Sequence, residues 1–282
     1  MISIVIPTYN NLDYLKLCLK SIKNNSSQIH EIILHVNDGS DGSLKYAQDN
    51  KIKHTFSKEN IGLCSSMNVA CKNISTKYIL YSNDDMYFCP NWDFFLLDEL
   101  KNIGNNNFFL SGTMIEPNQG AHIKFDCGKT IDTFDEKKLL DNYKNLLFYD
   151  HQGSHFSPLL VEKKLWDKVG GFSEEFNPAM CSDPDFNMKL WKEGVRIFKG
   201  INNFRVYHFG SITTRKKANF VMNRGDVTFL KKWGFTHKFF KKHYLKSNTK
   251  FLGPLKDPKK NLLFYFDFLL CKIKLIYSNF FF

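Results

Sequence analysis

The sequence predicts an α/β fold, a mostly parallel, doubly wound sheet with helices on both faces, and three observations predict it. Short apolar runs alternate with stretches of helical spacing from residue 1 to about residue 100. Those runs are nearly unbroken, as in strands covered on both faces rather than one. Several of them end in turns rich in Asn, Asp and Gly, at the edge where open α/β sheets hold their ligands.

The elements follow in order. Residues 2–6 form an apolar run closed by Pro7, and Leu12, Leu15, Leu19 and Ile22 then recur at helical spacing. A second strand over 31–36 runs into Asn37-Asp38-Gly39-Ser40-Asp41-Gly42-Ser43, and a short third strand covers 52–56. Residues 61–74 place Met67, Ala70, Cys71 and Ile74 on one helical face. A strand begins at Tyr78, and a helix follows Pro90. Beyond it the pattern predicts a strand at 108–115, loop over 119–135, a helix at 137–147 and a strand at 156–161. A short helix at 162–169 is stopped by Gly170-Gly171, and a helix at 183–193 turns Phe186, Leu190 and Trp191 inward before Gly194. Two short strands at 195–198 and 204–208, then a helix at 218–233, complete the map. At helical positions, Trp166 and Trp191 are expected to pack in the core.

With 282 residues the chain has room for one large α/β domain and a modest appendage. The net charge of +11 is concentrated: residues 231–260 hold ten Lys and one Asp, hence +9 of it. The remainder is close to neutral, which argues against a nucleic-acid-coating protein and for one basic face. Seven cysteines, odd in number and with no C-x-x-C pair, fit buried thiols in a reduced, cytoplasmic setting. The first residues lack the basic flank and length of a signal peptide. No apolar run approaches the ~20 residues that span a bilayer.

The stretch with most chemistry is Tyr78-Ile79-Leu80-Tyr81-Ser82-Asn83-Asp84-Asp85-Met86-Tyr87. A buried strand here delivers two carboxylates to its C-terminal end. Hard oxygen donors there suit a divalent cation, which suits a ligand diphosphate. The competing reading is an acidic turn in which Asp84 or Asp85 caps the next helix.

Four separated motifs then resemble one family. Ser3-Ile4-Val5-Ile6-Pro7-Thr8-Tyr9-Asn10 resembles its opening strand and base-binding turn, and Val36-Asn37-Asp38-Gly39-Ser40 its second-strand acidic turn. Ser82-Asn83-Asp84-Asp85 resembles its "DxD" metal site, with Ser82 or Asn83 at the usual first acid. Asp183-Pro184-Asp185 resembles the acidic pair that opens a late helix. Over about residues 1–215 the chain resembles a family 2 glycosyltransferase of the GT-A fold, with a nucleotide-binding half to about residue 100 and an acceptor half to 215. Residues 216–282 form a basic, aromatic, helical extension.

The resemblance implies transfer of a sugar, with inversion, from a nucleoside-diphosphate donor to a glycan or lipid-linked acceptor. It implies Mn²⁺ or Mg²⁺ held by Asp85, Asp84 and His208, and Asp183 as general base. Pro7, Thr8, Tyr9, Asn10, Asp38, Asn60, Gly62, Asn68, Asn83, Asp84 and Arg215 would bind the nucleotide. Asp38 is suited to accept the ring N–H of uracil or to cap the helix before Ser43. Gly62 at a helix start would let N–H groups meet ribose or phosphate. Gly171, Phe172 and Asp185 would lie by the sugar. Two other classes compete. A sugar-1-phosphate nucleotidylyltransferase would want a Gly-rich basic loop where Thr8-Tyr9-Asn10-Asn11 stands, and a non-catalytic carbohydrate-binding relative would not need intact Asp84, Asp85 and Asp183.

Residues 261–282 are mostly Leu, Ile, Phe and Tyr, with their few polar residues on less than half the helical wheel. They read either as a cover packed on the domain or, beside the lysines, as a peripheral contact of 231–282 with the anionic inner face of a cell membrane.

Overall fold

The computed structural model describes residues 1–118, 122–210 and 224–281. Among the described residues ten strands form one sheet, in the order β3-β2-β1-β4-β9-β6-β10-β5. They are β1 (Ser3–Tyr9), β2 (Glu31–Asn37), β3 (Lys53–Ser57), β4 (Tyr78–Tyr81), β5 (Met86–Phe88), β6 (Phe108–Glu116), β7 (Ile123–Lys124), β8 (His151–Gln152), β9 (Leu159–Glu162) and β10 (Ile197–His208). The two-residue strands β7 and β8 attach to β6 and β10.

The first half is parallel as expected, with β1 between β2 and β4. The second half is mixed: β9 runs antiparallel to both β4 and β6, and β5 and β8 run antiparallel to β10. Chain order reverses at β1, since β2 lies on one side and β4 on the other. That reversal opens a crevice at the strands' C-terminal ends.

Alternation along β1 explains the unbroken apolar run. Ile4 and Ile6 join Leu15, Cys18 and Ile22 of α1 (Leu12–Asn25) and Trp92 and Leu96 of α4 (Trp92–Ile103) on one face. Val5, between them, points to the other face, where α3 (Leu63–Ala70), α6 (Lys163–Val169) and α7 (Ser182–Lys192) pack. All three β1 side chains are fully buried, each contributing roughly 1.5–3 kcal/mol of transfer free energy. Trp166 and Trp191 are core residues, as expected.

Some expectations need correction. The two strands at 195–198 and 204–208 are one, β10, whose pairing with β6 shifts register between Gly200 and Arg205. His151 packs on Gly200 where a Cβ would stand, so this bend needs glycine. Strand β5 went unpredicted because three residues directly after two acids carry no readable period. The helix at 137–147 is shorter, α5 (Glu136–Asn142) followed by a 3₁₀ turn. The loop over 119–135 contains β7 and a 3₁₀ turn, and it buries Ile123 and Cys127. Of the helix expected at 218–233, residues 218–223 lie outside the described residues. Helix α4 starts from Asn91, so neither Asp84 nor Asp85 caps it. The acid at the start of α2 (Ser43–Asp49) is Asp41, which accepts from the Ser43 amide at 3.0 Å, and not Asp38.

Residues 225–281 fold against the domain. The helices Gly225–Trp233, His237–Phe240 and Leu262–Phe281 bring Phe229, Phe239, Phe240 and Phe264 into the cluster that holds Val5 and Trp191. Among the described residues no helix is long and apolar enough to cross a membrane. All seven cysteine thiols are free.

Candidate active site

At the crevice lies a cavity of about 460 Å³, within the ~300–1,000 Å³ usual for small-molecule sites. Strand β1 supplies Pro7, Thr8 and Tyr9; the turn after β4 supplies Asn83, Asp84 and Asp85; β10 supplies His208; and α7 supplies Asp183. Asn60 and Gly62 line it too, so ten predicted site residues are brought together from five separate segments.

Sheet register builds the acidic corner. Tyr81 pairs with Val5, so the chain leaves β4 beside β1 and sets Asp84 near Asn11, whose amide donates to Asp84 Oδ1 at 3.1 Å. On the far side, antiparallel β5 and β10 pair Met86 with His208, which brings the imidazole to Asp85. His208 Nε2 stands 3.5 Å from Asp85 Oδ1. It is buried and makes no hydrogen bond. Its other nitrogen, Nδ1, lies 2.7 Å from Glu116 Oε1, because parallel pairing of β6 with β10 ends with Ile115 opposite Tyr207.

Burial, followed by the charge of neighbouring Asp85, pushes Asp84 up to about 7. For His208 burial is the largest single influence and favours the neutral ring, but Asp85 and Glu116 together outweigh it and hold the group up at about 10. The corner is therefore one in which carboxylates seek positive charge.

Two donors about 2.1 Å from one ion can stand at most about 4.2 Å apart, and Asp85 and His208 lie inside that reach. Among the described residues no group of three or more His, Cys, Asp or Glu is set to hold a metal. The residues present thus fit a divalent cation with two protein ligands, a carboxylate and an imidazole, that takes its remaining oxygens from water or a bound phosphate. Glu116 would then orient the histidine from behind.

Asp183 occupies the first turn of α7. Its Oδ1 is shut from solvent and has no hydrogen-bond partner, so it does not cap the helix through that oxygen. Burial raises its pKa to about 7, with Lys241 pulling the other way. Asn83 is locked by the Tyr81 hydroxyl at 2.6 Å and the Ser157 hydroxyl at 3.2 Å, both on its Oδ1.

Other predicted residues stand elsewhere. Asp38 and Asn10 bond each other at 2.7 Å and do not line the cavity; the neighbouring Asn37 does. Asn68 brackets Phe172, accepting from its N–H at 3.0 Å and donating to its carbonyl at 2.8 Å, so it fastens the loop after α6 and does not line the cavity. Phe172 is buried between Trp166, Phe186 and Tyr81, and Gly171 leaves room for Asn68 and Trp166; neither lines the cavity. Asp185 is fully buried and held by Lys232, Ser173 and Trp233, away from the cavity. Arg215 lies outside the described residues.

The N-terminus of α3 also departs from expectation. Its first amides are taken: Leu63 N donates to Pro178 O at 2.9 Å, and Cys64 N to Asn177 Oδ1 at 3.0 Å. A Cβ on Gly62, whose φ is +83°, would stand 2.4 Å from that Asn177 oxygen. Gly62 is needed so that Asn177 can cap the helix from another part of the chain, and the cap occupies the place proposed for phosphate. Sequence reasoning missed Asn11, Glu116 and Asn177. For Glu116 the signal was available, an acid just past an apolar run, the same pattern that exposed Asp84 and Asp85.

Known proteins resemble this chain in fold or in sequence. A GalNAc-T7 structure with UDP, GalNAc and Mn²⁺ superposes with TM-score 0.57 at 14% identity, covering 74% of this chain and 43% of that one. An uncharacterized glycosyltransferase of Rickettsia bellii is 30% identical over 207 residues, 70% of this chain and 28% of the relative. The minor teichoic acid biosynthesis protein GgaA of Bacillus subtilis is 29% identical over 202 residues, 65% of this chain and 44% of that protein. The chain thus spans less than half the length of either sequence relative. The sequence model of glycosyl transferase family 2 matches residues 3–154, more than half of the chain, and the chain belongs to that family of transferases.

Proposed function

We propose that the protein transfers a sugar from a nucleoside-diphosphate donor, with UDP favoured, to a hydroxyl of a glycan or lipid-linked acceptor, inverting the anomeric carbon. The observation that carries this reading is that one cavity joins the β1 turn, the Asp85–His208 corner and the orphaned Asp183 oxygen. The acceptor oxygen bonds to the anomeric carbon from the face opposite the diphosphate, and the bond from that carbon to the phosphate oxygen breaks. The acceptor's proton passes to Asp183, whose pKa of about 7 suits a base working near neutrality.

Asp85 and His208 would hold Mn²⁺ or Mg²⁺, with Asp84 beside them. Such an ion supplies Lewis-acid stabilisation of charge on the departing diphosphate. Pro7, Thr8 and Tyr9, with Asn37 and Asn60, form the wall offered to the base and ribose. With Asp38 outside the cavity, the preference for uracil rests on the UDP bound by the GalNAc-T7 neighbour. The teichoic acid protein among the relatives supports an envelope polymer as acceptor class. A nucleotidylyltransferase gains nothing here, since β1 passes directly into α1 with no phosphate-cradling loop.

The test is a panel of nucleotide sugars with Mn²⁺ or Mg²⁺, scored by nucleoside diphosphate release and repeated on Asp85→Ala. Release from one donor that vanishes in the variant and with chelator is expected. Turnover unchanged by chelator would remove the cation from the reading.

A further inference from the structure

The Leu262–Phe281 helix is apolar on two sides. Phe264, Phe268, Cys271 and Leu275 face the domain, with Phe264 and Phe268 packed on Phe239 at ring distances of 5.0 and 5.8 Å. The opposite side carries Phe266, Leu269, Leu270, Ile273, Ile276 and Tyr277 at three- and four-residue steps, between 41% and 60% exposed. Leu262, at the start of the same face, is 90% exposed. A helix apolar all round is one that buries its second face too, and a contiguous patch of this kind marks an interaction surface.

Charge selects the occupant. At 100° per residue, Lys272 and Lys274 fall on opposite borders of the exposed face. Exposed Lys256, Lys259 and Lys260 lead into the helix, and none of these five lysines forms an ion pair among the described residues. The helix's acid, Asp267, is already held by Lys242 at 2.6 Å and His243 at 2.7 Å. A second copy of this face would therefore meet lysines with lysines. An apolar stripe bordered by lysines without ion pairs, Lys272 with its Nζ 4.7 Å over the Phe268 ring, instead complements a surface that is greasy within and anionic at its rim, and that surface is a lipid bilayer.

We infer that the exposed face of the Leu262–Phe281 helix lies in the interface of an anionic membrane, with Phe266, Leu269 and Ile273 dipping among the acyl chains and the lysines at the headgroups. Upstream of the helix, Lys241 Nζ sits 5.7 Å from the ring centre of Phe156, which lines the cavity. Docking there would hold the enzyme on the surface that carries lipid-linked acceptors. The inference deepens the proposed acceptor class, yet its test reads binding and not turnover, so either reading can fail alone.

The experiment is co-sedimentation of the full chain with phosphatidylcholine vesicles and with vesicles of equal parts phosphatidylcholine and phosphatidylglycerol. Expected is binding to the anionic vesicles at least about tenfold stronger than to the neutral ones, weakened by salt. Phe266→Glu with Ile273→Glu should abolish it while leaving helical content and donor hydrolysis unchanged, because both side chains point outward. Lys259→Gln and Lys260→Gln should each weaken it about fivefold, the weight of one lysine near such a leaflet. A chain that stays in the supernatant with both vesicle types, or binds them equally, overturns the inference. So does a stable dimer in solution that Phe266→Glu converts to monomer, since the face would then belong to a second copy.

Discussion

Asp183 and Asp185 sit two residues apart in the first turn of α7, and the molecule treats them oppositely. Asp185 turns into the protein. Its oxygens meet Lys232 at 3.0 Å, the Trp233 indole at 2.8 Å and the Ser173 hydroxyl at 2.7 Å. Asp183 turns to the cavity, where its Oδ1 is buried without a partner. A helical step of 100° per residue separates them by about 200°, enough to aim one at the C-terminal helices and the other at the cavity. Full satisfaction marks a structural acid, while a buried acid left short of hydrogen bonds needs a ligand or a reaction to account for it.

The contrast breaks most directly at Asp183. Asp183→Asn preserves shape and removes the base, so transfer should fall by about 10²–10⁴-fold with donor KM little changed. Circular dichroism should match the parent. A drop confined to KM would move Asp183 from catalysis to binding. Asp185→Ala should act on the other axis. It strands Lys232, which retains Glu175 as a partner, so a loss toward the lower end of about 3–5 kcal/mol is expected from the urea midpoint. A variant as stable as the parent but inactive would show that the two acids had been assigned the wrong way round.

A smaller effect is expected at Glu116, which acts through His208. Glu116→Gln keeps a partner for the ring but removes a charge, and cation affinity read by calorimetry with Mn²⁺ should weaken about 10–100-fold. His208→Ala should abolish what Glu116→Gln only weakens. Equal affinities in all three proteins would detach this pair from any ion.

How much of this was legible in advance follows a physical divide. The first hundred residues obey local rules: β1 is buried on both faces and reads as an unbroken run, and α1 carries its period in Leu12, Leu15, Leu19 and Ile22. Asp84, Asp85 and His208 were legible because each closes an apolar strand, which fixes where it emerges. What stayed hidden depends on groups far apart in sequence. Asn177 reaches 113 positions back to cap α3, and Asn68 reaches 104 positions forward to hold Phe172. Asp38 and Asn37 are adjacent, and the end of β2 at Asn37 with the left-handed turn at Asp38 (φ +63°), rather than composition, decides which one lines the cavity. The antiparallel insertion of β9 between β4 and β6 is likewise a matter of topology that no local period announces.

The smallest expected effect sharpens the contrast through pH. Asp93 is another satisfied acid, buried and bonded to Ser27, Gln28 and His30. Burial alone would raise its pKa, but the hydrogen bonds, that of His30 foremost, outweigh it and hold the group below its ordinary value. Its folded form thus binds fewer protons than the unfolded chain in acid, so its stabilisation is present above the unfolded carboxylate pKa of about 3.9 and is lost as pH falls through the depressed folded value. Asp183 has the reverse sign. Raised to about 7 by burial, it holds a proton in the folded state that the unfolded chain has released, so its contribution to stability declines as pH rises from about 4 to about 7. Urea midpoints measured across about pH 3 to 8 separate the two: Asp93→Asn should flatten the acid limb, and Asp183→Asn should lessen the decline toward neutrality, of which Asp84, also raised to about 7, supplies the rest. The second variant should also be the more stable protein near pH 7, because an amide in that place carries no buried charge. An Asp183→Asn chain whose decline toward neutrality stayed as steep as the parent's would mean the carboxyl is solvated there, since Asp84 alone would then account for it, and a solvated Asp183 would have no reason to sit near 7 as the base of the transfer.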